Sequence, residues 1–342
     1  MTLTQEQAAG RLTELSAQRK SHRRSEPSAE AVDLVALRDL DSRAFADAPH
    51  AEDSPSFLLK DASPATRDRL FASLKDSPGA AAGNALHALA FIGDDAVASR
   101  FRAWEQSPPS WRERLYVGPE VYALQADWEP TADGTRRDLT FPAAVAFQPS
   151  EAPPDGDVIG GTADGRCPRC GGTLTNAVTI TGAHPRFLAF ELGGVVSIPV
   201  CPSCSMLTEA NGDSVCDWVR YETDGTSRIE STSAIEPELG GPEFSLPVTW
   251  TPATEYAGGS ATHSIDTGLW RTHADCYEVP VVGGHPLWLQ DAEYARCPDC
   301  DRRMRHLAWI PLHCLSEDGE EGIWYVQICT DDRVAVVVYQ QT

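Results

Sequence analysis

The sequence predicts an α+β fold, with an N-terminal helical domain followed by a β-rich region built around two pairs of cysteine knuckles. Three observations lead there. Apolar residues at helical spacing are confined to about the first third of the chain, extended β-branched and aromatic runs dominate beyond it, and all ten cysteines lie at or after Cys167. The expected division is 1–115 helical, 116–160 hairpin and linker, and 161–342 β-rich and metal-binding. At 342 residues the chain is long enough for two or three domains.

The elements follow in order. Thr4-x-x-Gln7 is a capping box ahead of Ala8, Leu12 and Leu15. Ser63-Pro64 supplies an N-cap and a proline at the first helical position before Leu70 and Leu74. The stretch from Ala85 to Trp104 puts Leu86, Leu89 and Ala90 on one stripe, breaks at Gly93-Asp94-Asp95, and resumes with Val97, Phe101 and Trp104. Two short helices joined this way make an antiparallel pair, which resembles a HEAT-type repeat and equally suits an ordinary small helical domain. His87 falls on the apolar stripe, as a core histidine does. Tyr122–Trp128 and Leu139–Phe141, either side of Ala132-Asp-Gly-Thr135, predict a hairpin, since Asp-Gly favours its turn. The Pro/Gly/Asp-rich run from Pro149 to Asp157 reads as an exposed connection. Near the C-terminus, 322–329 and 334–339 read as strands, the second buried on both faces.

Charge narrows the function. The formal net charge is −22, and the imbalance sits in the second part: residues 1–150 hold 17 basic and 22 acidic side chains, residues 151–342 hold 11 and 28. Such a surface repels phosphate backbones and anionic lipid, so neither nucleic acid nor membrane is expected as a partner. No apolar stretch has the length of a signal peptide core or a membrane span, which predicts a cytoplasmic protein. In a reducing compartment ten thiols call for metal before disulfides.

Cys167-Pro-Arg-Cys170 and Cys201-Pro-Ser-Cys204 are two C-P-x-C knuckles. Zn²⁺ takes four thiolate or imidazole ligands in a tetrahedron, and C-x₂-C offers two sulfurs from one tight turn. The pair therefore predicts a structural zinc in a ribbon-like site, with an inserted strand pair to account for the long gap between knuckles. Cys297-Pro-Asp-Cys300 is a third knuckle, and Cys329-Thr-Asp-Asp332 stands where a fourth would be, with Asp332 in place of its second cysteine. A Cys₃Asp site for a second Zn²⁺ is one reading. A decayed, metal-free site is another, and a fourth ligand from Cys314, His313 or His306 a third. Cys216 and Cys276 have no partner at metal spacing and read as small buried hydrophobes, with His273 beside Cys276 as a minor nucleophile–base reading.

The C-terminal segment resembles the YwqG-like family of bacterial proteins. The resemblance is carried by Gly283-Gly-His-Pro-Leu-Trp-Leu-Gln290, the Cys297/Cys300 knuckle, Met304-Arg-His-Leu307, Glu321-Gly-Ile-Trp-Tyr325 and Tyr339-Gln-Gln341. It departs from the family's zinc-bearing members at Asp332. The resemblance implies a β-rich mixed fold, no established catalytic residues, and a role beside bacterial toxins as an immunity protein. The Gly-Gly-His-Pro run itself reads as a tight turn entering a buried strand, with Trp288 in the core and Gln290 satisfying backbone groups.

The expected function is thus a zinc-stabilised acidic binding protein, most concretely one that neutralises a toxin as its basic protein partner. The alternatives are a zinc-dependent enzyme with an open C-terminal Cys₃Asp site, and a zinc-ribbon nucleic-acid binder using Arg302, Arg303, Arg305 and His306. No catalytic residues are nominated, since H-E-x-x-H, G-x-S-x-G and phosphate-loop motifs are missing from the sequence.

Overall fold

The computed structural model describes residues 59, 62–141, 144–149, 159–183, 187–206, 217–231, 253–255, 280–286, 288–314 and 321–341. The capping box at Thr4, the linker residues 150–157, Cys216, His273 and Cys276 lie outside them. The chain divides into two compact units, Met1–Asp138 and Leu139–Thr342. Among the described residues no helix is long and apolar enough to cross a membrane.

In the first unit, helix α1 (Pro64–Ser73) starts as expected, with the Ser63 hydroxyl accepting from the Thr66 N–H. Helix α2 (Gly79–Ile92) ends at Gly93, whose φ of 52° is the left-handed conformation that glycine adopts at little cost. The next residue, Asp94, caps α3 (Asp95–Gln106) by accepting from the Val97 N–H at 2.9 Å. Leu86, Leu89, Ala90, Val97 and Phe101 are buried together around Trp128, whose indole N–H donates to the Ala90 carbonyl at 2.7 Å. His87 sits at the core margin with its ring edge-on to Tyr122.

One segment differs from expectation. Tyr122 belongs to a helix, α4 (Pro119–Gln125), rather than to a strand. Gly118-Pro119 starts it, because proline is pre-set for the first helical turn. The Asp133-Gly134 turn does form, but it joins β1 (Trp128–Pro130) to β2 (Arg136–Asp138), and Leu139–Phe141 is not a strand. The hairpin thus falls within the N-terminal unit.

The second unit contains β3 (Ala144–Pro149), β4 (Thr162–Arg166), β5 (Thr173–Thr181), β6 (Val195–Val200), the one-turn helix α5 (Pro202–Ser205), β7 (Asp217–Tyr221), β8 (Ser227–Ser231), β9 (Ala253–Glu255), β10 (Val281–Gly283), β11 (Arg305–Pro311), β12 (Ile323–Cys329) and β13 (Val334–Gln340). An eight-stranded sheet has the order β8-β7-β13-β12-β11-β10-β3-β9, and a three-stranded sheet the order β4-β5-β6. The apolar faces of β5–β6 and β11–β12 share one core, with Val178, Ile180, Val196 and Ile198 packed in the same cluster as Ala308, Ile310, Trp324 and Val326. β13 is buried along nearly its whole length, as its valine run predicts. Gly283 and Gly284 have φ of 77° and 72° and turn the chain out of strand β10, so the turn leaves a strand instead of entering one. Trp288 stacks on Tyr325, and the Gln290 side chain donates to the Gln341 carbonyl.

Candidate metal centres

The first knuckle of each pair is a short loop whose backbone bonds hold its two ligands together. In the first, the Cys167 N–H donates to the Gly172 carbonyl and the Gly171 N–H to the Cys167 carbonyl, both at 2.9 Å. Gly171 has φ of 71°. The third knuckle repeats the pattern. Cys297 N–H donates to Arg302 at 2.8 Å and Asp301 N–H to Cys297 at 2.9 Å, and Asp301, with φ of 57°, replaces the glycine. Asparagine and aspartate are the residues that best tolerate this conformation after glycine.

The correspondence runs on into the strands. Arg166 pairs with Thr173 in the first copy and Arg296 with Arg303 in the second. From there β5 and β6 pair as Thr175↔Val200, Asn176↔Pro199, Val178↔Ile198, Thr179↔Ser197, Ile180↔Val196 and Thr181↔Val195. Counted from their own cysteines, β11 and β12 pair identically: Arg305↔Ile328, His306↔Gln327, Ala308↔Val326, Trp309↔Tyr325, Ile310↔Trp324 and Pro311↔Ile323. Even the bulge recurs, between Asn176 and Val178 and between His306 and Ala308. The chain therefore carries a knuckle–strand–strand–knuckle unit twice. The long gap in the first copy is spanned by β5, a short 3₁₀ turn at Leu188–Phe190, and β6, so among the described residues the expected inserted strand pair is not present.

The ligand atoms meet. Cys167, Cys170, Cys201 and Cys204 are all buried, and their sulfurs lie within 4.8 Å of one another. Cys167 and Cys204 are 3.7 Å apart, Cys170 and Cys201 3.5 Å. Four sulfurs at the usual Zn–S distance of about 2.3 Å stand about 3.8 Å from each other in a tetrahedron, whereas a disulfide needs about 2.05 Å. The spacing is that of metal ligands. The Gly172 N–H also points at the Cys170 sulfur at 3.4 Å.

Proton chemistry agrees. Packed thiols cannot all ionise unaided. The Cys201 and Cys204 thiols hold Cys167 far below the usual range, while Cys201, hydrogen-bonded to Cys167, is pushed up to about 12 and Cys204 is pushed up by both neighbours. A divalent cation relieves that conflict by binding the thiolates.

In the second copy Cys297, Cys300, Cys329 and Asp332 gather in the same way. Asp332 thus stands in the fourth place that His306, His313 and Cys314 competed for. Its Oδ2 accepts from the Cys297 and Cys329 thiols at 3.2 Å, and Cys300 and Cys329 are 3.8 Å apart. Thiol donors hold the Asp332 carboxyl below its ordinary value, and burial raises Cys297 and Cys329. Unlike the first cluster, this one has two partly exposed members, Cys300 and Asp332. Asp332 occupies the β12–β13 turn, where Arg333 has φ of 55° and donates to Glu222.

Comparisons with known proteins add one relative. The chain is 29% identical over 269 residues to the uncharacterized protein YpfL of Salmonella typhimurium strain LT2, an alignment that covers 75% of this chain and 58% of that protein. The chain thus matches a little over half the length of that bacterial relative. No protein-family model matches it, and neither does any solved structure.

The basic cluster beside the third knuckle is used internally. Arg302 pairs with Asp331, Arg303 donates to the Tyr294 carbonyl, and Arg305 donates to the Thr140 carbonyl at 2.7 Å and lies over the Phe141 ring. His306 is fully buried. These four side chains do not form a continuous basic surface. Sequence reasoning missed a different feature, a polar cleft on the first copy lined by Thr162, Asn176, Ser197 and Thr226.

Proposed function

We propose that the chain is a zinc-stabilised bacterial binding protein of the cytoplasm whose acidic surface engages a basic protein partner, in the manner of an immunity protein that neutralises a toxin. The observation that carries the reading is the buried four-thiol cluster at tetrahedral spacing, a donor set suited to Zn²⁺ in a closed, structural site. In such a ribbon-like site the metal supplies folding energy and no open position, so recognition falls to the surface. That surface belongs to a chain of net charge −22, which steers cationic partners toward it. The α2–α3 pair is read as HEAT-like, a helical unit appended to the zinc-bearing one.

The second cluster supports a second reading, a zinc-dependent enzyme. Cys300 and Asp332 are partly exposed, and a metal held by three thiolates and a carboxylate there would act as a Lewis acid if a further position admitted substrate. The experiment that separates the two measures partner capture as salt is raised, beside hydrolytic turnover of wild type and Asp332→Ala. Retention of basic proteins that is lost steeply with salt supports the binding reading. Capture of acidic or neutral proteins alone contradicts it, and turnover abolished by Asp332→Ala favours the enzyme.

A further inference from the structure

The two copies share their inward faces but not their outward ones. In the second copy the outward residues His306, Trp309, Tyr325 and Gln327 are completely buried. They are covered by residues 288–295 of the same chain. Trp288 stacks on Tyr325 with ring centroids 4.5 Å apart, and the Leu289 N–H donates to the Tyr325 hydroxyl at 3.0 Å. The Gln327 amide accepts from the Ala295 N–H at 2.8 Å and donates to the Glu293 carbonyl at 2.7 Å. A side-chain amide and a hydroxyl thus hold a non-helical stretch of backbone on this face.

At the corresponding places the first copy has Asn176, Thr179, Ser197 and Pro199. Every one is smaller, and Asn176, Thr179 and Ser197 are only half-buried. Ser197 donates to the Asn176 side-chain oxygen at 3.3 Å, so the amide and hydroxyl chemistry is retained while the bulk is lost. What remains is a cleft of about 590 Å³ between this face, strand β4 and residues 225–229 of the β7–β8 hairpin. That volume lies in the usual range of about 300–1,000 Å³ for ligand sites. Thr162, Thr226 and Ser227 add hydroxyls, and the lining also carries Asp164, Arg166 and Arg228, the last paired with Glu230 at 2.6 Å.

We propose that this cleft binds an extended peptide segment, taken as the second copy takes residues 288–295 of its own chain. Ser197 stands in the place of Tyr325, and Asn176, across from the Pro199 that stands in the place of Gln327, supplies the amide; these two groups hold the guest backbone. This surface borders the first metal centre, since Arg166 and Pro168 flank Cys167, and is independent of the partner proposed above.

The test uses the full metal-loaded chain and a fluorescein-labelled peptide of sequence Trp-Leu-Gln-Asp-Ala-Glu-Tyr-Ala, capped at both ends, followed by fluorescence polarisation. Ser197→Tyr installs the residue of the second copy and fills the cleft from one wall. Ser227→Tyr fills it from the other, and serves if the first variant loses metal or melts early. The expected result is saturable binding by wild type, weakened at least about tenfold, or about 1.4 kcal/mol, in a cleft-filled variant of unchanged metal content and melting temperature. The proposal is overturned if wild type shows no saturable binding, or if folded variants with a filled cleft bind as well as wild type.

Discussion

Replacing His306 with leucine should flatten the acid side of the stability profile. The imidazole is completely buried, both ring nitrogens lack a hydrogen-bond partner among the described residues, and the rings of Trp288 and Tyr325 lie 6.3 Å away. Burial, with a smaller contribution from His285, lowers its pKa to about 3. In the unfolded chain the same group titrates near its ordinary value of about 6.5. As pH falls through 6.5 the unfolded state gains a proton that the folded state rejects, so stability is full above that pH and is lost progressively toward pH 3. With about 1.36 kcal/mol per unit, this one group costs about 2 kcal/mol by pH 5 and about 4 kcal/mol by pH 3. Leucine has similar volume and no proton to gain. Urea unfolding of wild type and His306→Leu at pH 7.5 and pH 5 reads the difference directly, since acid effects on the metal clusters are common to both. The wild type should lose about 2 kcal/mol more than the variant over that interval. Equal losses would mean that His306 is not held neutral in the core, and would refute the argument.

Three further outcomes follow from the structure. Cys170→Ser should lose the metal of the first cluster and melt well below wild type, because a structural metal contributes folding energy; metal analysis beside a thermal melt checks it. Trp128→Phe removes a buried indole donor from the Ala90 carbonyl and should destabilise the helical unit by about 1–3 kcal/mol, read by denaturant unfolding of the full chain. Gly194→Ala places a Cβ 2.0 Å from the Thr223 carbonyl oxygen, a backbone clash that should cost about 1–3 kcal/mol and appear as a lower midpoint in the same assay.

How much of this was legible follows from where the information sits in the chain. The break at Gly93-Asp94 was readable because glycine and an acidic cap are local signals, and the structure puts the helix boundary there. Asp332 could be matched to Cys204 because knuckle spacing is written in the sequence, and the carboxylate does join the three sulfurs. Tyr122–Trp128 was misread because its alternating apolar residues suit a strand as well as a short helix, and the deciding signal was Pro119, a few residues upstream. The identical pairing of β5–β6 and β11–β12 was not legible, since register depends on which strands meet and the bulge leaves no residue signature. The cleft emerges only from that register: once Ser197 is known to stand where Tyr325 does, the missing bulk on the first copy becomes visible.

The duplication also explains the difference between the two clusters. Both copies hold their first knuckle with the same backbone bonds, so the fold can keep the ligand arrangement while one ligand varies. The first copy uses four buried thiols. The second exchanges one for a carboxylate at a turn that solvent reaches, which makes it the more accessible of the two.

Metal content per chain is the most direct test of the central claim, measured on the full-length protein purified without added metal, as wild type and as Asp332→Ala. Two zinc ions per wild-type chain, falling to one in the variant, are predicted from the two clusters. One ion or none in wild type, or two retained in Asp332→Ala, would contradict the assignment of Asp332 as a ligand of a second metal centre.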